Sequence, residues 1–334
     1  MKALVLKEYG KFAYEAVPDP VIGPEDVLVR IGACAICGSD IHGMDGSTGR
    51  RIPPIIMGHE AAGTIEAIGD KVTGFSPGER VTFDSTVYCG SCLYCLQGDM
   101  NLCDDRRVLG VSCADYRIDG AFSDLIAVPA RILYSLPDTL SFVRATLVEP
   151  LSVALHAVRR SRAKPGDSAV VVGTGLIGLL VVQCLRATGC CPVIAIDPAK
   201  NRLDLAFEFG ANQCLSPDTT DIADAVRKAT GGRGADVALE CVGLSPSVAN
   251  AVAVLRKGGT LVLVGNLRPT VELPLQAVVT RELNLVGSCA SAGEHPACLN
   301  LIAEGRVDVD PLVSTVAPLS DGDIWFQRLH RGEP

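Results

Sequence analysis

The sequence predicts an α/β chain of two domains, a mostly-β domain followed by a doubly wound parallel sheet. At 334 residues the chain is too long for one ordinary core. From Met1 to about Pro150, short strand-like runs (KALVLKE, DVLVRIGAC, AAGTIEAIG, ERVTF, FSDLIAV) are parted by Gly and Pro, and helical periodicity is nearly absent before Phe142. That rhythm suits a small barrel or sandwich. From about Leu151 to Arg281, fully apolar strands alternate with helices, which implies a parallel sheet covered on both faces.

In that second stretch SAVVVG is a strand, LIGLLVVQCLRAT a helix, PVIAID a strand, and AKNRLDLAFEFG a helix closed by Gly210. ADAVRKATGG, ADVALECVG, SVANAVAVLRKGG and TLVLVG continue the alternation. The remainder reads as a strand (LNLVGSC), a helix (PACLNLIAEG), a strand (LVSTVAP) and the start of a helix (DIWFQRL).

Composition narrows the function. Hydrophobic residues at 48% and charged residues at 20% mark a core-forming globular chain. Aromatics are only 4%, so aliphatic side chains must fill the interior. A net charge of −8 argues against a nucleic-acid-binding surface. MKALVLKEYG lacks the apolar core of a signal peptide, and no apolar run approaches membrane-spanning length without a charge or turn. A cytoplasmic, unanchored protein is expected. Without an export signal, the fourteen cysteines read as reduced thiols and metal ligands rather than disulfides.

Gly173-Thr-Gly175-Leu176-Ile177-Gly178 follows an apolar strand and opens a helix, the context a dinucleotide turn requires. The first Gly permits the tight turn, the second lets a pyrophosphate approach the backbone, and the third allows close helix–strand packing. The helix N-terminus then offers oriented N–H groups to the diphosphate. Asp197 ends the next strand, nineteen residues after Gly178, where a carboxylate accepts from the adenosine ribose hydroxyls and repels a 2′-phosphate. NAD is therefore favoured over NADP, with Arg202 flanking the adenine or ribose. The competing reading is a βαβ turn that binds no nucleotide.

Cys89, Cys92, Cys95 and Cys103 have the spacing C-x2-C-x2-C-x7-C. Four thiolates this close suit tetrahedral zinc with no open position. An iron–sulfur cluster competes less well, because the bacterial ferredoxin run has a shorter last gap followed by Pro, whereas Asp104 follows here; unligated thiols are a third reading. A second, dispersed constellation comprises Cys37, His59-Glu60 and Glu149. A thiolate, an imidazole and a carboxylate with water make an open zinc site, able to act as a Lewis acid on an alcohol oxygen. Taken singly, each of these residues has an ordinary structural reading.

Cys37-Gly-Ser39-Asp40-Ile-His42, Gly58-His59-Glu60, the four-cysteine run, Glu149-Pro-Leu-Ser-Val and the glycine motif, in that order along almost the whole chain, resemble the zinc-containing medium-chain dehydrogenases. Val148 to Val153, with His156-Ala and Arg159-Arg160, is similar to the sorbitol (L-iditol) dehydrogenase branch, which has Glu near the metal where liver-type alcohol dehydrogenases have a second Cys. The resemblance implies a GroES-like catalytic domain over 1–150, completed by 288–334, and a Rossmann NAD-binding domain over 151–287. It implies two zinc ions per chain. Cys37 and His59 would bind the catalytic one, with Glu60 or Glu149 completing the shell directly or through water. Asp40 would fix the tautomer of His59. Ser39 would take the substrate proton and pass it through the nicotinamide ribose to His42 and solvent. His156, His295 and His330 are assigned to packing or solvent.

The implied reaction oxidises the secondary hydroxyl of a polyol or related small polar alcohol, with hydride passing to NAD. Metal ligands come from the first stretch and nucleotide contacts from the second, so an inter-domain cleft is expected to bring them together. The animal sorbitol dehydrogenases carry an Arg-Tyr substrate pair where this chain reads Ser288-Cys289-Ala-Ser291-Ala-Gly-Glu294. L-Threonine, butanediol and sugar-alcohol phosphates are therefore alternative substrates, and a non-catalytic nucleotide- and zinc-binding interaction protein is the alternative of a different class. The chain stops at Arg331-Gly-Glu-Pro334, before the Lys-Val-Val-like strand usual in such dehydrogenases, so an incomplete C-terminus is expected. By resemblance a homo-dimer or homo-tetramer is expected, built by pairing strands such as TLVLVG and LNLVGSC.

Overall fold

A computed structural model describes residues 1–333, and in it the chain divides into two units. Unit 1 holds Met1–Glu149, His295–Ala303 and Val309–Pro334; unit 2 holds Pro150–Glu294 and Glu304–Asp308. Pro334, the last residue of the expected 288–334 completion, lies outside the described residues.

Alternation builds unit 1. Along the strand Asp26–Ala35, Val27 and Val29 are fully buried while Arg30 points to solvent. This strand is central in a five-stranded antiparallel sheet, ordered Leu125–Pro129, Asp26–Ala35, Glu60–Ile68, Arg80–Phe83, Leu133–Ser135. Its inner face packs Val27, Val29, Ile65, Val81, Phe83, Ile126, Val128 and Ile132 into one core. A three-stranded sheet centred on Lys2–Glu8 builds a second core from Leu4, Leu6, Ile55, Met57 and Phe122. The helix Gly322–His330 closes it: Phe326 stacks on Phe12 at 4.4 Å and meets Phe122 edge-on at 5.5 Å.

Unit 2 is a six-stranded, all-parallel sheet ordered Gln213–Leu215, Val193–Ile196, Ala169–Val172, Ala235–Glu240, Leu255–Leu263, Asn284–Gly287. Ala169, Val170 and Val171 are fully buried, as a strand covered on both faces must be. The helix Leu176–Thr188 ends at Gly189 in the left-handed region (φ 93°), which a glycine C-cap adopts without strain. The order of the strands reverses between Ala169–Val172 and Ala235–Glu240, the switch point at whose carboxyl edge doubly wound sheets bind ligands.

Three local expectations change. The run LVSTVAP is not a strand: after a short 3-10 turn at Asp310–Leu312 it is irregular, no strand among the described residues pairs with it, and Val316 is exposed. Without a neighbouring strand the run makes no ladder, and its exposed backbone is left to water. The helix within SVANAVAVLRKGG ends at Val254, and Leu255 already opens the strand Leu255–Leu263, which reaches back to pair Leu255 with Ala235. Before Phe142 the first stretch also holds two short helices, Gly38–Met44 and Leu93–Gln97. Among the described residues no helix is long and apolar enough to cross a membrane.

Candidate active site and metal centres

The Asp26–Ala35 strand delivers the chain to Cys37, which caps the helix Gly38–Met44: its Sγ accepts from Ser39 N at 3.5 Å, while Asp40 Oδ2 accepts from Cys37 N at 3.4 Å. His59 and Glu60 stand where the chain enters the neighbouring strand Glu60–Ile68, and Ala35 pairs with Glu60 across the ladder. Pairing therefore brings residues more than twenty positions apart to one point. The ligand atoms of Cys37, His59 and Glu60 lie within 4.8 Å of one another. Glu149 falls outside that trio; its Oε1 accepts from Ser85 Oγ at 2.7 Å.

The donor set fits a zinc ion. Glu60 Oε2 is buried without a hydrogen-bond partner, as a carboxylate oxygen reserved for a cation would be. His59 turns Nδ1 to within 3.5 Å of Asp40 Oδ1, leaving its other ring nitrogen for a metal. Burial pushes the Glu60 carboxyl up to about 8, with Glu149 and Asp40 adding to the push against the pull of His59. Burial also raises the Cys37 thiol, reinforced by Glu60, and raises Glu149 against the pull of His59 and Ser85. A divalent cation stabilises so anionic a buried cluster. Burial works to raise Asp40, but His59 and Arg51 hold it below its ordinary value; burial works to lower His59, but Asp40 and Cys37 hold it well above its own. Ser39 and His42 are both exposed and lie three residues apart, so they share a face of the helix Gly38–Met44.

Cys89, Cys92, Cys95 and Cys103 also bring their sulfurs within 4.8 Å of one another, and Cys89 and Cys95 are 3.9 Å apart. A tetrahedron with zinc–sulfur bonds of about 2.3 Å has sulfurs about 3.8 Å apart. Cys92 caps the helix Leu93–Gln97, and Gly98 ends it at φ 88°. Ser91 N and Cys92 N donate to Cys89 Sγ at 3.4 and 3.3 Å and lower its thiol to about 6, favouring the thiolate a metal takes.

The glycine turn carries three separate demands. Gly173 has φ 89°, and a Cβ there would lie 2.3 Å from Val242 Cγ2. A Cβ at Gly178 would lie 1.8 Å from Gly173 O, so only glycine lets the helix meet the strand. At Gly175, the N-cap of the helix that Leu176 and Ile177 open, a Cβ would meet nothing within 4 Å. That open cradle fits a dinucleotide pyrophosphate. Asp197 is 3% exposed and accepts from Thr174 N and Ala199 N, each at 2.8 Å; Arg202 Nη1 is 3.9 Å from its Oδ2.

Sequence reasoning missed several residues that hold these groups. Arg51 pairs with Asp40, Ser85 holds Glu149, and Glu240, fully buried, collects the loop beside Gly173. His295 is buried and stacked on Tyr134 at 4.9 Å, His156 pairs with Glu294 at 3.2 Å, and His330 is exposed.

Residues 23–138 match the alcohol dehydrogenase GroES-like domain, and residues 177–304 match the zinc-binding dehydrogenase domain. D-xylulose reductase A of Aspergillus oryzae is 34% identical over 340 residues, covering 99% of this chain and 94% of that protein. Sorbitol dehydrogenase of Bacillus subtilis is 35% identical over 319 residues, covering 94% of this chain and 89% of that protein. Among solved structures, a zinc-binding dehydrogenase of Sinorhizobium meliloti bound to NADP superposes with a TM-score of 0.90 at 32% identity, over 97% of this chain and 94% of that one. A short chain alcohol dehydrogenase of Escherichia coli complexed with NADH superposes with a TM-score of 0.90 at 26% identity, over 98% and 95%. Unit 1 is thus GroES-like and unit 2 a Rossmann-type sheet.

Proposed function

The chain belongs to the zinc-binding medium-chain dehydrogenases, and on that premise we propose that it oxidises a secondary hydroxyl of a polyol with NAD, giving a ketose or ketone. The trio of half-buried Cys37 with buried His59 and Glu60, and Asp40 behind His59, carries the reading. When bound, zinc supplies the Lewis acidity that acidifies the hydroxyl, and the nicotinamide supplies the hydride acceptor.

Cys37, His59 and Glu60 would hold the metal, with Glu149 kept close by Ser85 as the exchangeable or water-mediated carboxylate. Asp40, 3.5 Å from His59 Nδ1, would leave the other ring nitrogen for the metal. Ser39 Oγ takes the hydroxyl proton, and exposed His42 on the same helix face passes it to solvent. The four-cysteine site, with no open position, holds a structural zinc. In unit 2, Gly173 to Gly178 would seat the diphosphate, and Asp197, carboxylate beside the turn, favours NAD over NADP. The relatives named D-xylulose reductase and sorbitol dehydrogenase point to a polyol as substrate.

Among the described residues the strand Asn284–Gly287 ends its sheet with one edge unpaired, and Leu267, Leu275 and Val279 are exposed, which supports a second copy adding across that edge. We place the chain in a reducing cytoplasm, where its fourteen cysteines would stay thiols or metal ligands.

The test is a screen of xylitol, sorbitol, 2,3-butanediol, galactitol phosphate and L-threonine, following reduced nicotinamide with NAD and with NADP. Oxidation of a polyol with NAD is expected, and Cys37→Ser should abolish it while lowering zinc from about two to about one per chain. A zinc-replete protein that oxidises none of these alcohols, or a fully active Cys37→Ser, overturns the reading.

A further inference from the structure

We infer that Arg51 is a positioning residue for the catalytic metal trio: it holds Asp40, and through Asp40 both the imidazole of His59 and the backbone of Cys37. Arg51 is 4% exposed, and its guanidinium faces the fully buried Asp40, donating to Asp40 Oδ1 from Nη2 at 3.0 Å and from Nε at 3.4 Å. The same carboxylate stands 3.5 Å from His59 Nδ1 and accepts from Cys37 N. Two of the trio are thus oriented by one carboxylate, and that carboxylate is oriented by one arginine. Arg51 Nη2 also reaches Ser39 Oγ at 3.5 Å, the hydroxyl placed to receive the substrate proton.

Arg51 is itself fixed from both ends. Ser112 clamps the backbone around it, donating from its N–H to Arg50 O at 3.2 Å and accepting from Ile52 N at 3.0 Å. The side-chain stem crosses the helix at Gly43, where a Cβ would lie 2.4 Å from Arg51 Cγ, so glycine is what admits it. Nη1 is tied to Arg50 O at 3.1 Å. A buried guanidinium with several fixed donors is suited to hold a carboxylate in one orientation, which a flexible ammonium does less well. It also balances charge: buried Asp40 and Glu60, with half-buried Cys37 beside them, crowd acidic groups together, and Arg51 is the cation set against Asp40. With that charge neutralised, Asp40 stays beside the His59 imidazole, 3.5 Å from Nδ1, instead of competing as a ligand.

The proposal rests on the dehydrogenase reading for the part played by Ser39; the hold on the trio is independent of any substrate. The experiment uses the full-length zinc-loaded protein, its Arg51→Met and Arg51→Lys variants, and three readouts: stepwise zinc release to a competing chelator, the visible spectrum after cobalt substitution, and NADH affinity by fluorescence. Arg51→Met should release one zinc per chain at about 10- to 100-fold lower chelator activity, the scale of losing a group that orients a ligand. The second zinc and NADH affinity should stay as in the parent, and Arg51→Lys should fall between. Once a substrate is known, kcat should drop with little change in KM for NAD. A release curve coincident with the parent overturns the proposal, as does parallel loss of both zinc ions and of NADH binding, which marks general destabilisation. If Arg51→Met does not fold, Arg51→Lys decides: an unshifted release curve refutes. Failure to oxidise any alcohol would sink the proposed activity but leave these metal readouts intact.

Discussion

Glu240→Gln tests whether a carboxylate outside the glycine motif sets the cofactor turn. Glu240 ends the strand Ala235–Glu240 with no exposure. Its Oε1 accepts from Val242 N at 2.9 Å, Gly243 N at 2.8 Å and Ser247 Oγ at 2.7 Å, and Oε2 takes a second bond from Gly243 N at 3.1 Å. Its backbone carbonyl accepts from Val264 N and Gly265 N, each at 2.9 Å. One residue thereby gathers two loops at the carboxyl edge of the sheet. They run backbone to backbone, since a Cβ at Gly265 would lie 2.2 Å from Gly243 N. Val242 in turn packs on Gly173, so a shift of this loop is a shift of the dinucleotide turn.

The amide keeps one acceptor oxygen but loses the charge and aims an NH2 at Gly243 N–H. Hydrogen bonds to a charged group contribute about 1.5–3 kcal/mol against about 0.5–1.5 for neutral ones, so three donors lose about 3 kcal/mol together. For a unit of this size that lowers Tm by roughly 6–12 °C. If about half the loosening reaches Gly173, NADH affinity falls on the order of tenfold. Thermal unfolding with and without NADH, an NADH fluorescence titration and a zinc count as control read all three. Wild-type Tm together with wild-type NADH affinity would refute the reasoning; so would loss of zinc, because Glu240 belongs to unit 2 and the proposed metal ligands to unit 1.

Gly175→Ala and Gly178→Ala should part company: the first weakens NADH binding with Tm unchanged, because its Cβ meets only open space, whereas the second lowers both, because its Cβ lands 1.8 Å from Gly173 O. Equal effects on Tm would contradict the division of labour within the turn. Burial pushes the Glu294 carboxyl up, but hydrogen bonds from His156, Ala292 N and Arg159 hold it at about 2 against an ordinary 4.5. A depressed carboxylate stabilises the fold above about pH 4.5 and loses that contribution as pH falls toward 2. Glu294→Gln should therefore cost roughly 1–2 kcal/mol at neutral pH, discounted because Arg159 is half exposed, and nothing near pH 2; a difference that grew on acidification would reverse the sign. Cys92→Ser should lose one zinc per chain yet keep NADH affinity, since the cysteines lie in unit 1 and the glycine turn in unit 2; simultaneous loss of NADH binding would count against that independence.

What could be read from the chain itself divides by whether the chemistry is local. The glycine turn and the four-cysteine run are contiguous, and each spacing states its own geometry, so both stood out before any coordinates. The alternation along Asp26–Ala35 and the apolar run at Ala169–Val172 announced their strands, because burial on one face or on two leaves its period in the residues. The helix Gly38–Met44 did not announce itself. Seven residues make two turns, too few for an amphipathic repeat, and its cap is Cys37, a residue type absent from the usual capping set. LVSTVAP erred the other way, since β-propensity specifies a strand only when a neighbour is there to pair. Arg51, Ser85 and Glu240 were invisible for a deeper reason. Each acts on backbone groups or on carboxylates brought beside it by the fold, and an arginine or a glutamate in a loop or at a strand end is by default a surface charge. Residues that meet a ligand are conspicuous by type; those that aim them become so only when burial shows a charge that must have a partner, as it does for Arg51 upon Asp40.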